Sequence, residues 1–205
     1  AGVRINPERA QFELLYNPEF MGQLSDEHKL GVLMHEFYHI IFEHVTGRKP
    51  SDGLKRIDNI AMDLAINGLP EMKGKLPCAS DPGPLMPNGE PMQGCLPGEG
   101  PFADLPSGKS YEWYLQALKD MQDEQGEGGE GEGSGSGRPG NGDPFGGADS
   151  FDDHDSFGEG DSTTTEIAKE RLKDSLKKAA EEAEKSRNWG SVSAGMRQDI
   201  LDRIQ

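Results

Sequence analysis

The pentapeptide His35-Glu36-Phe37-Tyr38-His39, inside "VLMHEFYHIIFEH" at 32–44, has the residue types and spacing of a metal site. On a helix, side chains four apart stand one turn above the other, so two imidazoles can share one cation. Glu36 lies beside them, placed to take a proton from water. The chemistry this arrangement supports is hydrolysis. Zinc lowers the pKa of a bound water to about 7 and polarises a carbonyl, and a neighbouring carboxylate shuttles the proton to the leaving amine. Five letters can match by chance or be kept for packing. Against that, two histidines and an ionisable Glu36 are costly neighbours in a core without a cation.

A third protein ligand is needed, and two residues compete. His44 follows His39 by five positions. At about 100° per residue on a straight helix it points about 140° from His39 and about 180° from His35. It reaches a shared metal only if the helix breaks near Phe42 or Glu43; otherwise it is a polar residue near a helix C-terminus. Asp63 lies in the apolar run "IAMDLAI" of a second helical segment, where a solvated-face explanation is weak, and Asn67 follows one turn on. Geometry favours Asp63, with His44 as the rival. His28, one heptad before His35, reads as an exposed first-turn residue.

The elements that must position these groups are short. Val3 and Ile5 fit one strand and "QFELLY" another, with Asn6-Pro7 between them. Ser25 is a good N-cap for a helix whose apolar set Leu33, Phe37, Ile40 and Ile41 runs to about Val45, closed by Gly47 and Pro50. A second helix spans about Ser51 or Asp52 to Asn67, with Leu54, Ile57, Ala61, Leu64 and Ala65 as its buried stripe and Gly68 as its stop. Nine of the fourteen prolines fall in 70–106, which reads as a wrapping loop. "SYEWYLQALKDM" is a short amphipathic helix, 163–187 is a charged helix with a weak seam from Ala168 to Ala183, and "GMRQDILDRIQ" begins another.

Composition limits the rest. Of 205 residues only 33% are hydrophobic, and 28 glycines and 14 prolines are too many for one compact core of that length. The net charge of −16 argues against a basic surface for nucleic acid or anionic lipid. That charge is concentrated: 120–161 holds thirteen Asp or Glu against Arg138 alone. This stretch is expected to be a flexible glycine-acid tether. Within it "DSFDDHDSF" is unusual. His154 could stabilise a tetrahedral oxyanion or act as an extra ligand, with Asp152 or Asp153 orienting it, or it is one histidine in a solvated linker. Two cysteines, Cys78 and Cys95, lack C-x-x-C pairing and fit reduced thiols, so a cytoplasmic location is expected, with no membrane-spanning run and no leader pattern.

"LLYNPEFMGQLSDEHKLGVLMHEFYHIIFEH" followed by "NIAMDLAIN" resembles the metallopeptidase domain of bacterial and phage proteins that also carry a von Willebrand factor A-like domain. The resemblance continues at "SYEWYLQAL", "FDDH" and "GSVSAGMRQDIL", so it runs through most of the chain. It implies a zincin helix, a histidine at the position of His44, and a second helix with Asp and Asn at Asp63 and Asn67. It also implies further helix before "AGV", a von Willebrand-type domain after the last helix, and a MoxR-type AAA+ ATPase as partner. No D-x-S-x-S motif is present.

The expected architecture is α+β: a zincin-like core at 1–121 (small sheet, active-site helix and second helix), a linker at 122–162, and a helical segment at 163–205. The expected activity is zinc-dependent hydrolysis of peptide or protein substrates through a metal-activated water, with "QFELLY" offering an edge to an extended chain. The rival is a non-catalytic zinc-stabilised assembly module that recruits the ATPase. In either case the purified protein should carry about one Zn2+ per chain. His35→Ala combined with His39→Ala should abolish it, and elemental analysis finding full occupancy in that double variant would refute the site.

Overall fold

The computed structural model describes residues 1–47, 56–86, 89–127, 161–190 and 192–204. The chain opens with an antiparallel hairpin, β1 (Gly2–Asn6) paired with β2 (Gln11–Leu15), in the register Val3↔Leu14 and Ile5↔Phe12. Period-two alternation turns Val3 and Ile5 into the core. The turn is held by Asn6, whose Oδ1 accepts from the backbone N–H groups of Glu8 and Arg9 at 2.9 Å.

Helix α1 (Pro18–Gln23) follows. Asn17 caps it by accepting from the Glu19 and Phe20 amides, and Pro18 occupies the first helical position, where its missing N–H costs nothing.

Helix α2 (Asp26–Ile41) starts as expected, with the Ser25 hydroxyl accepting from the His28 amide at 3.1 Å. Its inner face is not the expected one. Leu33 and Phe37 remain 42% and 41% exposed, while Val32, His35, Glu36, Tyr38, His39 and Ile41 are buried. The stripe turned to the interior is the one that carries the chemistry. His28 is also buried, with Nε2 3.3 Å from Asp81 Oδ2, because the proline-rich segment folds over the start of the helix. Its expected exposure is therefore corrected.

The helix also ends earlier than the Gly47 and Pro50 signals indicate. Glu43 adopts φ +59°, the left-handed region, which costs a side-chain-bearing residue on the order of 1–3 kcal/mol. The His44 N–H donates to the His39 carbonyl at 2.9 Å and the Glu43 N–H to the Ile40 carbonyl at 3.1 Å. These are the two bonds of a Schellman ending, with glutamate where glycine is usual.

Helix α3 (Arg56–Asn67) buries nine of its twelve residues and is the central element. Ile60, Ala61, Leu64 and Ala65 pack with Phe102, Leu105, Tyr114 and Leu118, the last two from α4 (Tyr111–Glu127). Ile66 joins Val32 and Ile41 of α2, and Met62 joins Val3 and Ile5 of the hairpin. The expected helix start near Ser51 and its Leu54 lie outside the described residues, as does most of the acidic linker.

The proline-rich stretch wraps this core with two single 3-10 turns, Pro70–Met72 and Gly100–Phe102. Helix α5 (Ser162–Ser186) is capped by Asp161, which accepts from the Thr164 amide, and α6 (Ala194–Ile204) follows. Both return to the core: Ala168 packs with Val3, Val45 and Met62, and Met196 and Ile200 pack with Leu24, Val32 and Met72. Arg171 of α5 also donates to the Arg9 and Ala10 carbonyls in the hairpin turn. Among the described residues the architecture is α+β, a two-stranded sheet with six α-helices. No described helix is long and apolar enough to cross a membrane.

The wrapping segment meets α2 at Gly31, where an added Cβ would lie 1.8 Å from the Lys75 carbonyl oxygen. Gly31→Ala should therefore destabilise the fold by about 1–3 kcal/mol, against the roughly 1 kcal/mol that alanine contributes to an isolated helix. A thermal melt showing an unchanged or raised Tm would contradict this close approach.

Candidate metal centre

Two helices build the site. The one-turn spacing on α2 stacks His35 and His39, and α3 packs against that face with Asp63 and Asn67 one turn apart on its own. The two Nε2 atoms are 2.9 Å apart, and Asp63 Oδ1 lies 3.5 Å from His35 Nε2 and 3.3 Å from His39 Nε2. These three residues form a group that could hold a metal ion, and all three are fully buried.

The other ring nitrogens settle what those atoms can do. Asn67 Nδ2 donates to the Cys95 carbonyl at 2.8 Å, which turns its Oδ1 to His35 Nδ1 at 2.7 Å. His35 Nδ1 therefore carries the proton and Nε2 keeps its lone pair. His39 Nδ1 is 3.0 Å from His44 Nδ1. Two Nε2 atoms and a carboxylate oxygen thus converge in a dry interior. A proton between the imidazoles serves one pair of acceptors; a cation serves all three.

The spacing fits such an ion. Bonds of about 2.0–2.1 Å in a tetrahedron put ligand atoms about 3.3 Å apart, close to the three observed separations. Two imidazoles and one carboxylate are a donor set that divalent transition metals take.

The structure brings His35, His39 and Asp63 together and sets His44 apart. The break at Glu43 that His44 needed does occur, yet the ring turns to the far side of His39, away from Asp63. Glu36 follows His35 on the helix and is only 1% exposed. His154, Asp152 and Asp153 lie outside the described residues. What sequence reasoning missed is the tie through Asn67 to Cys95. The four-residue step from Asp63 to Asn67 was visible, but no local signal marks a backbone carbonyl 28 residues later as its partner.

Tyr38 lies within the motif. Burial, with the Glu71 carboxylate nearby, pushes its phenol up to about 12. It stacks on Phe42 at 5.9 Å between ring centroids. A cavity of about 110 Å3 opens elsewhere, where Phe12, Ile40 and Glu43 face Lys169 and Lys173 of α5.

A family model described as "Putative metallopeptidase domain" matches residues 6–205. The chain belongs to this family. No curated protein and no solved structure matches the chain. The family's description and the buried His-His-Asp group agree in pointing to a metal ion.

Loss of Asp63 should weaken metal binding far more than loss of His44, because Asp63 supplies one of the three converging atoms. Competitive zinc titrations of Asp63→Ala and His44→Ala should show that order. The reverse order would make His44 the ligand.

Proposed function

We propose that this protein is a zinc-dependent peptidase with a zincin-like centre, in which His35, His39 and Asp63 hold the ion and Glu36 is the general base. The observation that carries this reading is the convergence of two imidazole Nε2 atoms and a carboxylate oxygen at tetrahedral spacing, with a buried carboxylate next along the helix. Zinc bound there supplies an acidified water and polarises the scissile carbonyl. Glu36 accepts the proton released as water attacks and delivers it to the nitrogen of the departing amine. Asn67 keeps the His35 ring in the tautomer that leaves Nε2 available. The outer edge of β2, where Leu14, Leu15 and Tyr16 are exposed, offers backbone groups and side-chain contacts to an extended peptide.

One observation favours a second reading. His35, Glu36, His39 and Asp63 are all at most 1% exposed, which is the closed surrounding of a structural zinc rather than an open catalytic one. In that reading the ion fastens α2 to α3 in an assembly module, and an AAA+ ATPase is the partner to test. The peptidase reading instead requires that the site open to admit substrate.

Glu36→Gln separates the two. It should keep the metal and the fold while lowering cleavage of a peptide library, of partner proteins or of the chain itself by at least ~100-fold. The assay should be run alone and with a candidate ATPase. Equal activity of wild type and Glu36→Gln across those conditions would remove the peptidase reading and leave the assembly module.

A further inference from the structure

Helix α2 ends in a Schellman motif, which normally brings an apolar side chain just past the helix against one in its last turn. Here those two positions are His44 and His39. Their rings meet nitrogen to nitrogen, Nδ1 to Nδ1 at 3.0 Å, with centroids 5.0 Å apart and planes at 65°. His44 is 1% exposed, held between Phe42 at 5.8 Å and Tyr111 at 6.1 Å. The backbone is bent into the left-handed region at a glutamate to put it there.

This contact has a definite chemical polarity once His39 Nε2 faces Asp63 and His35. A histidine that binds metal through Nε2 carries its proton on Nδ1 and must donate it. The atom in reach is His44 Nδ1, which can only accept, so the His44 proton sits on Nε2.

We infer that His44 is a positioning residue: it accepts the His39 Nδ1–H and so fixes the tautomer and ring orientation of a metal ligand without binding the metal itself. The inference rests on the proposed His35–His39–Asp63 site. It adds to that reading a counterpart of the amide that Asn67 offers to His35. The two imidazoles are then oriented by different means, one from the neighbouring helix α3 and one from the end of α2 itself.

Two substitutions and one spectrum test it. His44→Leu supplies the apolar contact usual in this motif but no acceptor, and His44→Gln supplies an acceptor oxygen. Zinc titration should show a dissociation constant raised roughly 10–100-fold in His44→Leu, the usual effect of losing such a partner, and largely restored in His44→Gln. Binding by His44→Leu equal to wild type would overturn the inference, as would equal losses in both variants, which would indicate a ligand or a packing residue. The zinc-loaded wild type gives a readout that needs no variant. Nitrogen-15 spectra of the imidazoles should show His39 protonated at Nδ1 and His44 neutral and protonated at Nε2. A metal-shifted His44 nitrogen, or a proton on His44 Nδ1, would overturn it. If wild type binds no zinc, the underlying site fails instead, which these variants do not mimic.

Discussion

Three potential ligand atoms from two helices face one another in the buried interior, and much of the structure follows from that. His35, His39 and Asp63 sit at the crossing of α2 and α3, which is also where three apolar clusters adjoin. Burying such groups without a partner costs several kcal/mol, and burying a lone carboxylate costs more. A shared cation would convert that cost into a clamp between the helices. The two Nδ1 atoms of the imidazoles are provided for individually, by Asn67 on His35 and by His44 on His39.

The same constraint ties distant parts of the chain to the site. Asn67 is held by the Cys95 carbonyl, so the proline-rich wrap is one hydrogen bond removed from a candidate ligand. Gly31 lets the wrap lie against α2. Helices α5 and α6 pack on the hairpin and on the buried Val32 face of α2 with Ala168, Met196 and Ile200. A chain poor in hydrophobic residues thus spreads a modest core over several thin clusters around a polar centre. The candidate ligand atoms are among the most buried of the described residues.

Much of the centre was legible in the sequence because its signals are local. The four-residue step from His35 to His39 needs only a helix, and Asp63 stood out as an acid in an apolar run. The Ser25 cap and the two strands were readable for the same reason. The failures were decided by tertiary structure. Hydrophobic periodicity chose Leu33 and Phe37 as the inner face of α2, but the interior there is polar and the apolar pair faces outward. Gly47 and Pro50 marked the helix end, while the actual bend uses Glu43, which carries no glycine-like signature. His28 is covered by Asp81 from a segment more than fifty residues away, which no local pattern encodes.

The central proposal is that His35, His39 and Asp63, alone among the described residues, bind one ion. X-ray absorption at the zinc edge of the metal-loaded full chain tests it most directly. The account predicts a shell of nitrogen and oxygen at about 2.0–2.2 Å, with the outer-ring scattering of two imidazoles and no sulfur. A third imidazole in that shell, or scattering from sulfur near 2.3 Å, would contradict it.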